Sequence, residues 1–171
     1  MMKNLYVILG FENSYKTTVI EQLCRRIAVS KPTSISAQML EDCLISGKQR
    51  KILFGRDGDD YDCVRGNIDA IAANWSKCDA AVIPLRRAKW TSVDRVGCVW
   101  QKWIGRAIAD ARAKHPGSFI GYESYYIHSE FPLIHSAAKP DGCVMPITDP
   151  RYSSILTMWE NHIHDVMAMT I

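Results

Sequence analysis

The chain has 171 residues, a formal net charge of +3 and 47% hydrophobic residues, enough for one apolar core and one domain, residues 1–171. The charge is too mild to indicate nucleic acid, and no apolar run approaches the ~20 residues of a membrane-spanning helix, so no membrane is expected. The N-terminus lacks a signal-peptide layout, since Lys3 precedes only a short apolar run before Glu12 and Asn13, and the chain reads as cytoplasmic.

The first predicted element is a strand, Leu5–Leu9, which ends at Gly10. Lys16 and Thr17 follow, and then a helical pattern to about residue 29 with Val19, Ile20, Leu23 and Ile27 on one face. Pro32 and the Ser/Thr residues after it close that unit. Residues 37–46 are expected to form a short helix with Gly47 as its C-cap. Lys51–Gly55 reads as a strand, Arg56–Asp60 as a turn, and 61–75 as a helix with Val64, Ile68 and Ile71 on one side. Asp79–Leu85 is continuously apolar, as expected of a strand covered on both faces. The longest helix is expected over 92–114, with a stripe of Val93, Val96, Trp100, Trp103, Ile104, Ala107, Ile108 and Ala111, and with His115-Pro116-Gly117 as its stop. Ser118–Gly121 and Cys143–Ile147 are expected as two further strands. Residues 121–131, rich in Tyr and acidic groups, read as a capping segment or a base-stacking loop. A closing helix spans 153–167. Strands alternating with helices predict an α/β fold with a mainly parallel sheet and helices on both faces.

Six cysteines are scattered without a C-x-x-C pair, which favours buried free thiols over zinc or disulfides. No H-E-x-x-H is present, and His162 and His164, two apart, point to different helix faces. Trp100 and Trp103 at helical spacing read as core or as an oligomer contact, so a protein partner or a homodimer stays open.

The spacing from Gly10 to Lys16-Thr17, between a strand and a helix, is that of a phosphate-binding loop. Gly10 lets the chain turn, successive backbone N–H groups form an anion nest, and the helix N-terminus adds its dipole. In that layout Gly10, Asn13, Ser14, Tyr15, Lys16, Thr17 and Thr18 surround the phosphates. Lys16 contacts them as a point charge, the Thr17 hydroxyl binds Mg²⁺, and Thr18 caps the helix or reaches the α-phosphate. Tyr15 stands where G-x-x-x-x-G-K-[ST] has its second Gly. It either adopts a left-handed backbone or stays right-handed, and its ring either covers the ligand or blocks it. Asp57 and Asp59, after one strand, are candidates for the metal shell or acceptor, against a solvated Asp-Gly turn. Arg86, after another, is a candidate phosphate-binding cation, against a surface Arg pair with Arg87.

Residues 5–18 resemble the P-loop NTPases and kinases, with a degenerate phosphate loop. Residues 78–94, where a strand ends in Ile-Pro-Leu and leads into a helix, are more weakly similar to ParA-type ATPases, as is the tail from Ser153, although Phe11 stands where that group has Lys. The resemblance implies a P-loop-like three-layer sandwich that binds ATP or GTP with Mg²⁺. It implies phosphoryl transfer to water or to a small acceptor, with Lys16, Asp57, Asp59 and Arg86 as the catalytic set and Thr17 and Asp57 at the metal. The alternative is a P-loop-fold domain without turnover that acts as a binding or regulatory module.

Overall fold

The computed structural model describes residues 2–11, 14–86, 93–129, 131, 133–136 and 139–171, with side chains described in all of these but 93–101, 133–136 and 139–144. The chain runs β1 (Lys3–Gly10), α1 (Lys16–Ile27), β2 (Gln38–Ile45), β3 (Lys48–Gly55), α2 (Tyr61–Ala73), β4 (Ala80–Arg86), α3 (Val93–Lys114), β5 (Tyr122–His128), β6 (Leu133–Ser136), β7 (Lys139–Val144) and α4 (Tyr152–Thr170).

Five strands form one sheet in the order β2-β3-β4-β1-β5, and β6 and β7 form a separate antiparallel pair. β1 lies parallel between β4 and β5, with Val7 in register with Ile83 on one side and Tyr126 on the other. β3 is parallel to β4, and only β2 runs antiparallel, as a hairpin with β3.

The apolar runs of β1 and β4 are explained by burial on two faces. Tyr6, Ile8 and Val82 point to a core shared with Val19, Ile20 and Leu23 of α1 and Leu156, Trp159 and Ile163 of α4. Leu5, Val7, Leu9, Ile83 and Leu85 point the other way, to Val64, Ile68 and Ile71 of α2 and Ile104, Ala107, Ile108 and Ala111 of α3. Side chains that alternate in direction along a strand make both possible at once. Each fully buried aliphatic side chain contributes about 1.5–3 kcal/mol. The expected α/β class, the mainly parallel sheet and the helices on both faces are therefore observed. Among the described residues no helix is long and apolar enough to cross a membrane.

Three expectations are corrected. Residues 37–46 are not a helix: Gln38–Ile45 is β2, turned back on β3 by Ser46 (φ 50) and Gly47 (φ 76). Two consecutive positive φ values are those of a tight hairpin turn, and they make Gly47 a turn residue rather than a helix cap. Ser118–Gly121 is not a strand, because Phe119 (φ 54) and Gly121 (φ 66) turn the chain there. The sheet strand is instead Tyr122–His128, within the segment read as a capping or stacking loop. The expected strand Cys143–Ile147 is displaced: β7 ends at Val144 and, among the described residues, pairs only with β6. Arg87, Trp90 and the Ser92 cap lie outside the described residues.

The thiols of Cys24, Cys43 and Cys78 are free and buried, as expected, and Cys63 is free and half-buried. Burial pushes Cys24 and Cys43 up to about 12.

Candidate functional site

β1 delivers the chain to the carboxyl end of the sheet, where Gly10 is in register with Arg86, the last residue of β4. Just beyond, the Ser14 amide donates to the Phe11 carbonyl at 3.1 Å. The tightness of this turn demands glycine at position 10, since a Cβ there would lie 2.1 Å from Ser14 Oγ. Ser14 is 2% exposed, and its hydroxyl is buried with no hydrogen-bond partner among the described residues. Unpaired buried hydroxyls are uncommon and call for an explanation such as a bound water or ligand.

Tyr15 caps the N-terminus of α1 with φ 63 and ψ 27, in left-handed space. A non-glycine residue there costs about 1–2 kcal/mol. The side chain supplies the compensation. Its hydroxyl donates to the Met145 carbonyl at 2.5 Å, and its ring centroid lies 5.1 Å from that of Phe131 and 4.8 Å from that of Tyr152. One hydrogen bond is worth about 0.5–1.5 kcal/mol, and an aromatic pair adds a similar amount. Burial pushes the phenol above its ordinary value, so it stays protonated and able to donate at neutral pH. Of the alternatives open in the sequence, the backbone is left-handed and the ring is drawn into an aromatic cluster with Phe131 and Tyr152.

A hollow of about 240 Å³ remains beside Lys16, lined by Ser14–Thr17, Gly58, Asp59 and Pro84. Lys16 is 6% exposed. Its ammonium donates to the Phe11 carbonyl at 2.7 Å and lies 3.4 Å from an Asp59 carboxylate oxygen. Thr17 donates its hydroxyl to the Arg56 carbonyl at 2.7 Å. Thr18 follows in the first turn of α1. The amides of that turn have no intrahelical acceptors, and the dipole of α1 is positive at this end.

Asp59 reaches the hollow because the 56–60 turn is fastened to β4. The Arg86 amide donates to the Gly58 carbonyl at 2.9 Å, and a Cβ on Gly58 would lie 2.0 Å from the Pro84 carbonyl oxygen. The two aspartates part company at this turn. Asp59 lines the Lys16 hollow, whereas Asp57 lines a neighbouring one of about 300 Å³ with Arg56, Asp60, Asp62 and Asn67. Asn67 is 1% exposed; it donates to the Asp57 carbonyl at 2.7 Å and accepts from Gln38 Nε2 at 3.2 Å. A Cβ on Gly55 would lie 2.7 Å from its Oδ1. Sequence reasoning missed Asn67, Gly58 and Pro84. The signal for Asn67 was a carboxamide on the same helix face as Val64, Ile68 and Ile71.

The structure thus brings Gly10, Ser14, Tyr15, Lys16, Thr17 and Asp59 together, places Arg86 at the adjacent strand end and Asp57 in the next hollow; Asn13 lies outside the described residues. Among the described residues no three His, Cys, Asp or Glu side chains are grouped to hold a metal by themselves. Compared with protein-family models, curated proteins and solved structures, the chain finds no match.

Proposed function

We propose that the hollow at Lys16 binds the phosphates of a nucleoside triphosphate, ATP or GTP, with Mg²⁺, in a domain of P-loop type, and that the protein catalyses phosphoryl transfer to water or to a small acceptor. One observation carries the reading. A lysine only 6% exposed sits with its ammonium at a concavity formed where β1 ends and α1 begins, next to a buried serine hydroxyl with no partner among the described residues. A buried cation, an orphan hydroxyl and a helix N-terminus favour the same kind of ligand, an anion rich in acceptor oxygens.

In this reading Lys16 and the amides of the α1 first turn hold the phosphates, and the Ser14 hydroxyl donates to one of their oxygens. Arg86 supplies a further cation from the end of β4. The donors present fit Mg²⁺, which is commonly held by one or two carboxylates, substrate phosphate and water. Thr17 and Asp59 offer a hydroxyl and a carboxylate in the hollow, and Asp57 a second carboxylate nearby. The metal would neutralise charge on the phosphates. Asp59 or Asp57 orients the acceptor. Positioning and electrostatics do the work.

A second reading keeps binding without turnover and makes the domain a regulatory module. It is favoured by the existing engagement of Lys16 with Phe11 and Asp59, which a ligand has to loosen. Calorimetry with ATP–Mg²⁺ and GTP–Mg²⁺, followed by a phosphate-release assay, separates the readings. Binding with release supports catalysis, and binding without release supports the module. The absence of binding refutes both. Lys16→Ala is expected to weaken binding at least about tenfold, given ~1.5–3 kcal/mol for a hydrogen bond to a charged group.

A further inference from the structure

The residue that departs most from a glycine-rich phosphate loop is also tied to a distant part of the chain. Tyr15 belongs to the turn beside Lys16, yet its phenol touches both roots of the β6–β7 hairpin. Phe131 lies two residues before β6 begins at Leu133, and Met145 directly follows the end of β7 at Val144. The Tyr15 ring packs on Phe131, and its hydroxyl donates to the Met145 carbonyl. Both anchors are fixed in turn. Phe131 is 7% exposed and packs against Trp159 at 5.8 Å and Tyr152 at 5.9 Å, and Met145 is fully buried. The hairpin itself pairs with no strand of the main sheet among the described residues. Its covalent connections to the rest of the fold run through the two ends that Tyr15 joins.

We propose that Tyr15 is a positioning residue that couples occupancy of the Lys16 hollow to the order of the β6–β7 hairpin. The inference rests on the nucleotide reading above. The left-handed backbone at Tyr15 is held by its side-chain contacts, so the turn and the hairpin roots form one mechanical unit. An anion that draws in the Ser14–Lys16 backbone shifts the phenol, and the phenol shifts the carbonyl and ring that anchor the hairpin. Linkage makes the effect reciprocal: a tether that lets ligand change hairpin order also lets the hairpin change ligand affinity by the same factor.

Backbone amide exchange tests this, measured over Leu133–Ser136 and Lys139–Val144 in the free protein and at saturating ATP–Mg²⁺. The wild type is compared with Tyr15→Phe, which deletes only the hydroxyl, and Phe131→Leu, which removes the ring contact from the other side. Calorimetry run alongside establishes saturation. In the wild type, ligand is expected to change hairpin exchange at least threefold. In Tyr15→Phe and Phe131→Leu that change is expected to fall by half or more, with faster hairpin exchange in the free proteins. Binding to the wild type with unchanged hairpin exchange overturns the coupling and leaves the nucleotide reading standing. A full response in both variants also overturns it. No calorimetric binding to the wild type overturns the nucleotide reading and the coupling together.

Discussion

Gly10→Ala places a methyl 2.1 Å from Ser14 Oγ, 3.0 Å from Lys16 Cγ and 3.3 Å from Lys16 Cδ. Even close carbon–oxygen contacts rest at about 3.3–3.6 Å, so the overlap with the hydroxyl exceeds 1 Å by estimate. Ser14 is 2% exposed and has little room to turn away, whereas the Lys16 carbons belong to a flexible chain that gives more readily. Overpacking of this kind costs about 1–3 kcal/mol, and about 2 kcal/mol is expected here. Ser14→Ala removes the colliding atom along with a buried hydroxyl that has no partner among the described residues, so by itself it is expected to be neutral or to stabilise by up to about 1 kcal/mol. Combining the two is expected to recover most of the loss, a coupling of at least about 1 kcal/mol between adjacent sites. Urea unfolding of the four proteins provides the measurement, with shifts in midpoint at constant slope. Additivity within about 0.5 kcal/mol would show that the Ser14 hydroxyl is not what the missing Cβ makes room for.

Two further outcomes follow from charge and burial. Asp60 caps α2 by accepting from the Cys63 amide at 2.8 Å, and that backbone bond holds its carboxyl below the usual carboxylate range. A depressed folded-state value means a contribution that is fully present above the unfolded pKa of about 3.9 and is lost as pH falls through the lower folded value. Asp60→Asn is expected to flatten the fall in urea midpoint between roughly pH 4 and pH 2, set by that reference value; an unchanged acid slope refutes the assignment. Burial pushes the Cys24 and Cys43 thiols up to about 12 and Cys63 up to about 11. Peptide-mapped alkylation at pH 8 is expected to spare all three in the native protein and to modify them in urea. Native labelling of Cys24 or Cys43 at the unfolded rate would contradict their placement in the core.

The parts of the fold that the sequence announces are those where local and tertiary preferences agree. Val19, Ile20 and Leu23 carry a helical period, and the same residues are buried in α1. Asp79–Leu85 is apolar without alternation because β4 is covered on both faces. Residues 37–46 failed because Ala, Gln, Met, Leu and Glu are good helix formers, while the pairing partner, β3, lies beyond the stretch being read. Ser46-Gly47 was the available clue, a turn dipeptide between two pairable runs. β5 was hidden by its position: an edge strand, exposed at Glu123, Ser124 and Tyr126, lacks the apolar signature of an inner one.

The hollow at Lys16 was legible in outline because the strand end, the turn and the helix start that frame it are encoded locally, in Gly10 and the Lys16-Thr17 that follow. The fate of Tyr15 was not, because Phe131, Met145 and Tyr152 decide it from more than a hundred residues away. Asp57 and Asp59 could not be told apart in the sequence, since the choice depends on how Gly58 is pinned against Pro84.

The place of β1 in the sheet bears on how the chain acquires its shape during synthesis. This strand is made before the other strands of its sheet, yet both of its neighbours come much later, at residues 80–86 and 122–128. Until then its amides and carbonyls have no lasting partners, and an apolar run of this kind is exposed to association with other chains. The β2–β3 hairpin closes over a two-residue turn and has no such delay. The nascent protein therefore holds the turn between β1 and α1 unfinished until the middle of the molecule has been made, and its dependence on chaperones is expected to peak in that interval.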